Sequence, residues 1–190
     1  MKRLLTLIIC LITTSVIAQE TWSASFRPSL HIPTREVLND PLRIGNGVEI
    51  TASYSVSSQT KIFGGLIWNR YDADRGYNEA DIEYIQRGIV LGGMYFFNIL
   101  PNQKNPLYIK AGLSFMDIKA RSLDAALDIN TRWAVGTQLG VGIKIASLEK
   151  LFILPELSYG TTSNAYDFQG SQRYLSFRNV TISGGLMYVF

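Results

Sequence analysis

The last eleven residues, Val180 to Phe190 (VTISGGLMYVF), constrain the fold more than any other stretch. Val180, Ile182, Gly184, Leu186, Tyr188 and Phe190 share one parity. Thr181, Ser183, Gly185, Met187 and Val189 share the other, which is smaller and begins more polar. Successive side chains of a strand point to opposite faces, so this strict period of two is a β-strand with one face in an apolar medium.

The same alternation recurs along the chain. It runs through 22–32 (Trp22, Ala24, Phe26, Leu30 and Ile32 against Ser23, Ser25, Arg27, Ser29 and His31), 47–56, 61–71, 84–97, 107–115, 132–145 and 151–160. Only 61–71 is ambiguous, because Phe63 and Ile67 oppose Ile62, Leu66 and Trp68. Between these segments lie four long polar connections at 33–46, 72–83, about 120–130 and 161–176. Three short ones lie at 57–60, around Pro101 and Pro106, and at 147–150. An even number of strands with long and short connections in turn predicts an all-β, eight-stranded antiparallel up-and-down transmembrane β-barrel.

The amino terminus predicts export. Lys2 and Arg3 precede an apolar run from Leu4 to Ile12, and Val16-Ile17-Ala18 forms a small-residue exit, so 1–18 reads as a signal peptide and 19–190 as the barrel domain. The run is too short for a spanning helix, and Thr13, Thr14 and Ser15 interrupt it. Cleavage would remove Cys10, the single cysteine, and with it any disulfide or thiol chemistry. Without Lys2 and Arg3 the formal charge falls from +3 to +1, so nothing asks for a nucleic-acid partner.

Alternation alone does not say which face points outward. A secreted lipocalin-like barrel of eight strands would carry a charged exterior and an apolar cup. Here the polar parity is mostly Gly, Ser, Thr and Gln, which suits a narrow lumen filled by side chains. Charge is almost absent from the apolar parity, with Arg87 as the exception near an outer strand end, where a basic side chain snorkels. Aromatic residues gather at both ends. Tyr95, Phe97, Tyr188 and Phe190 are expected at the periplasmic rim, and Trp68, Phe115, Trp133 and Tyr159 at the outer rim.

A closing strand ending Leu186, Tyr188 and Phe190 resembles that of small Gram-negative outer-membrane barrels of the OmpA/OmpX-like architecture. The resemblance covers the mature chain and implies residence in the outer membrane, contact with its lipid and lipopolysaccharide, and recognition of the last strand by the barrel-assembly machinery. Other outer-membrane proteins are further partners it allows. It also brings in two enzyme types, lipid A deacylases and palmitoyltransferases, whose hydrolytic form needs a His beside a Ser and a carboxylate. His31, the only histidine, lies on the lumen parity with Ser29 two residues away, which is not that pattern.

The lumen-facing charges Glu49, Lys110, Arg132, Lys144 and Glu156 are the most promising constellation. Lys110, Lys144 and Glu156 are expected at similar depth, where a carboxylate between ammonium groups would plug the lumen or gate it. Asp72-Ala73-Asp74-Arg75-Gly76-Tyr77-Asn78 resembles a calcium loop, but it lacks the spacing and terminal Glu of an EF-hand, so a solvated acidic loop is expected and no metal site. Tyr166, Phe168, Tyr174 and Phe177 in or beside the fourth connection either anchor a partner or extend a hairpin. Together these features predict no catalytic residue and no cofactor. They predict a structural or adhesive envelope protein, or an accessory subunit of a larger secretion or assembly complex. A lipid A-modifying enzyme, a lipocalin-like carrier and a narrow channel are the alternatives.

Overall fold

A computed structural model describes residues 21–37, 41–73, 82–100, 104–122, 128–168 and 170–190. The predicted signal peptide and the loop positions 74–81 lie outside the described residues. The described chain forms ten strands: β1 (Trp22–Pro33), β2 (Gly45–Ser55), β3 (Thr60–Ala73), β4 (Ile82–Phe97), β5 (Leu107–Ser122), β6 (Asp128–Asn130), β7 (Ala134–Ile143), β8 (Ile145–Ala146), β9 (Leu151–Phe168) and β10 (Ser171–Val189). The short β6 and β8 flank β7 and belong to the same stave, so the wall has eight staves. Every neighbouring pair is antiparallel, and β10 pairs with both β9 and β1, which closes the ring.

Register fixes the tilt. The partner row starting at Trp22 passes through Tyr54, Ile62, Gly93, Ala111, Leu139, Tyr159 and Val180 and returns to β1 at Ile32. A stagger from 22 to 32 over eight staves requires strands tilted by roughly 40°. Neighbours in this row therefore climb steadily around the wall, and equal counts from a turn do not mean equal depth.

The alternation resolves into faces as the sequence predicts. Ser23, Ser25, Arg27 and His31 of β1 are buried in the lumen, while Trp22, Phe26 and Leu30 are exposed. On the ambiguous strand, now β3, Phe63 and Ile67 turn inward, and Ile62, Leu66 and Trp68 outward. The exterior from the periplasmic end up to Ile89 on β4, Phe115 on β5, Tyr159 on β9 and Val180 on β10 carries no Asp, Glu, Lys or Arg. Such a belt is stable only against lipid, since one basic residue at its middle would cost about 2–4 kcal/mol. Its lower edge is ringed by Trp22, Tyr54, Tyr95, Tyr188 and Phe190, all partly exposed, and its upper edge by Trp68, Trp133 and Tyr159.

Two predicted connections differ. The segment 161–176 is not a loop: β9 and β10 stay paired out to Phe168 and Ser171, and Gly170 takes φ of 77° at the tip, a backbone region that glycine enters without steric cost. Near 120–130, β5 continues to Ser122 and β6 pairs back onto it. Where β5, β7 and β9 part, Asn164 donates to the carbonyls of Met116 (2.7 Å) and Arg132 (3.0 Å), in place of the missing ladder bonds.

Candidate functional site

The lumen is filled in layers. At its periplasmic end Phe63, Val90, Met94, Phe96, Tyr108, Leu154 and Met187 make an apolar cluster. At its outer end Tyr71, Ile82, Tyr84, Ile118, Tyr166, Leu175 and Phe177 make another, joined by Val37 and Leu42 from the β1–β2 connection.

Between the two clusters lies a buried charge quartet. Lys110, fully enclosed, donates to Glu49 Oε1 and Oε2 at 2.6 and 2.9 Å and stands 3.8 Å from Glu156 Oε1. Arg27 Nη1 donates to Glu49 Oε1 at 2.8 Å and stands 3.4 Å from Glu156 Oε2. Tyr108 Oη donates to Glu156 Oε2 at 3.0 Å, and the Lys110 ammonium lies 5.0 Å from the Phe63 ring centroid. Two cations and two anions cancel, which is the condition for keeping charge in a low-dielectric space. Gly140 on β7 makes the room: a Cβ there would fall 2.9 Å from the Ser158 Cβ and 3.2 Å from Glu156 Oε1.

The quartet overlaps the sequence expectation without coinciding with it. Glu49, Lys110 and Glu156 come together, but Lys144 and Arg132 do not join them. Lys110 is paired across the wall with Gly140, so Lys144 sits four residues nearer the periplasm. Its ammonium there lies 3.9 Å from the centroid of Phe152. Arg132 lies at the outer end beyond the lumen and pairs with Asp167 at 2.7 Å, both exposed. The missed member is Arg27. Its signal was available, because it occupies the lumen parity of β1 between Phe26 and Pro28.

One layer outward is a small polar chamber of ≈ 40 Å³, lined in part by His31, Asn69, Gln86, Gln138, Ser158 and Thr181. That is room for a water or two and for no larger ligand. His31 Nε2 is 3.0 Å from Ser29 Oγ, and Nδ1 is 2.8 Å from Thr181 Oγ1 and 3.1 Å from Asn179 Nδ2. The ring is thus held by hydroxyl and amide groups inside the lumen. No carboxylate is hydrogen-bonded to it among the described residues, and no described group of His, Cys, Asp and Glu could hold a metal ion.

On the outside, Leu186, Tyr188 and Phe190 of the closing strand face the belt near its lower edge. The rings of Tyr188 and Phe190 meet edge to face at 5.4 Å, and the Phe190 N–H donates to the Trp22 carbonyl at 3.1 Å. Arg87, the expected exception to the belt, does more than snorkel. It grips Asp117 on β5 with Nε and Nη2 at 3.1–3.2 Å.

No protein-family model matches this chain, and no curated protein does either. Solved structures do match. Neisserial surface protein A aligns over 90% of this chain and 98% of its own at 14% identity and a TM-score of 0.59. OprG from Pseudomonas aeruginosa aligns over 91% and 99% at 11% identity and 0.58. A major outer membrane protein from Thermus thermophilus aligns over 89% and 99% at 12% identity and 0.50. The fold is that of an outer-membrane β-barrel. With its uncharged belt and two aromatic edges, the barrel spans the outer membrane, and the lipocalin-like alternative, which needs a charged exterior, is excluded by the same belt.

Proposed function

We propose that the protein is a non-enzymatic envelope protein whose barrel is a closed anchor. In this reading it presents its outer hairpin and loops as a structural or adhesive element, or as an accessory subunit of a larger outer-membrane assembly. The observation that carries it is the stacked filling of the lumen: an apolar cluster at each end and a neutral charge quartet between them. In this reading each layer blocks a hydrated ion, and the layers act in series. The β9–β10 hairpin supports display, because it is paired out to Phe168 and Ser171 and exposes Gln172, Arg173 and Tyr174.

The enzyme alternative is the weaker reading. His31 lacks a carboxylate partner among the described residues, and the ring itself is buried on the lumen face of β1. In the same reading Leu186, Tyr188 and Phe190 are what the barrel-assembly machinery engages before closure, and lipopolysaccharide is the lipid met by the outer edge.

The test is conductance in a planar bilayer, paired with cross-linking of whole cells. A closed anchor gives no resolved current steps and a reproducible cross-linked partner through the outer hairpin. Long-lived steps from the unmodified protein would support the narrow channel instead.

A further inference from the structure

The outer surface carries an apolar hollow of ≈ 570 Å³. Its walls include Val48, Ile50, Leu66 and Ile89, with Trp68 on one side and the Arg87–Asp117 pair and Trp133 on the other. Ile67, whose side chain turns inward, and its register partner Gly88, which has none, also line it, so its floor there is the backbone of β3 and β4. Arg87, the register partner of Trp68, has its guanidinium engaged by Asp117 on β5.

Its level in the membrane is defined. Arg87 stands ten positions up β4 from Phe97 of the lower edge. At ~3.3 Å per residue and ~40° of tilt that is roughly 25 Å, about the height of a barrel's apolar band. The hollow therefore straddles the boundary between acyl chains and headgroups of the outer leaflet. Its lower part is aliphatic. Its upper part combines two indoles, exposed by 40% and 63%, with an ion pair of zero net charge.

That combination selects a ligand. The pair uses the Nε and Nη2 edge of the guanidinium, so Nη1 points away from Asp117. The pair thus presents donors and carboxylate acceptors side by side. A neutral pair gives a bare anion little net attraction, but it suits hydroxyl groups that both donate and accept, and indole faces suit the apolar face of a sugar ring. The volume lies within the range of small-molecule sites, roughly 300–1,000 Å³. We propose that this hollow binds an outer-leaflet glycolipid, its sugar headgroup held by Trp68, Trp133 and the Arg87–Asp117 pair and an acyl chain laid over the aliphatic floor. The inference rests on the membrane level of the hollow and on the reading that the outer edge meets lipopolysaccharide, to which it adds a defined site, and it is independent of whether the envelope role is adhesive or accessory.

The test uses the full-length mature barrel in detergent, mixed with lipid A (an acylated and phosphorylated glucosamine disaccharide) or with phosphatidylglycerol, an anionic lipid without a sugar ring, and retained lipid is read by native mass spectrometry. The expected result is one lipid A held under activation that strips phosphatidylglycerol. Trp68→Ala and Asp117→Ala should each lower the retained fraction at least fivefold, and Tyr159→Ala, an aromatic of the same edge outside the hollow, should leave it unchanged. A heat-shifted gel band shows that each variant is folded, and Arg87→Lys, which keeps the charge but loses the planar fork, should also reduce retention. Equal retention of the two lipids overturns the proposal. So does retention that rises in Asp117→Ala, because that would make the site a plain anion trap. Conductance and cross-linking do not depend on the hollow, so failure here leaves the envelope reading to its own test.

Discussion

Between the periplasmic apolar cluster and the level of Arg87 the barrel is apolar outside and polar within; above that level the pattern is reversed. In the belt, Leu113, Leu139 and Ile182 face out, while Ser114, Ser158 and Thr181 are buried in the lumen. Farther out, Arg70, Asp117, Arg132 and Asp167 form surface ion pairs, while Tyr84, Ile118 and Phe177 fill the interior. The same staves run through both regions, so the difference comes from the solvent. Lipid accepts only apolar side chains and leaves polar ones to satisfy each other inside, whereas water restores the ordinary apolar interior. The place where the phase flips is itself a measure of where the membrane ends.

The sharpest way to break the comparison is to unbalance the lumen in the belt. Glu49→Gln strands Lys110 and Arg27 on a single carboxylate, and breaking a buried pair on one side costs about 3–5 kcal/mol. Urea titration of the barrel folded in lipid vesicles should show that loss. Adding Lys110→Met, which restores neutrality around Arg27 and Glu156, should recover much of it. A double variant no better than the single would mean that the quartet is not a coupled unit.

The second effect lies on the outside. Leu139→Arg, mid-belt, should cost about 2–4 kcal/mol, whereas Trp133→Arg at the outer edge should cost about 0–1 kcal/mol. Equal losses in the same titration would remove the boundary.

Much of this was legible in the sequence because period-two alternation is local. It places Ser25 and Phe26 on opposite faces whatever the strand is paired with. What alternation does not contain is depth. Lys144 shares the lumen parity with Lys110, but the stagger of the wall sets it four residues nearer the periplasm and out of the quartet. Arg27 was readable by parity alone, since it lies between Phe26 and Pro28 on the lumen face of β1. The outer hairpin was hidden for another reason. From Thr161 onward the apolar parity changes face, so Tyr166, Leu175 and Phe177 look like scattered aromatics in a polar loop when the lipid pattern is used as the template. The grip of Arg87 on Asp117 joins positions thirty residues apart and needed the register.

Smaller effects sharpen the outer half. Ile118→Val removes one methylene from a fully buried position of the outer cluster and should cost about 0.5–1.5 kcal/mol in the urea titration. Replacing both Arg87 and Asp117 with Ala should leave stability nearly unchanged, as surface ion pairs contribute little, so the larger consequence would appear in lipid retention and not in folding.

The most direct measurement is a spin-label scan along β9, which runs through both regions. Labels placed singly on the outer face at Ile153, Leu157, Ser163 and Asp167, with the barrel in bilayers, report contact with dissolved oxygen or with a water-soluble nickel complex. The account predicts oxygen-dominated contact at Ile153 and Leu157 and nickel-dominated contact at Ser163 and Asp167. Nickel access at Leu157 equal to that at Asp167 would contradict it, because the wall would then have no lipid-facing belt for its interior to invert against.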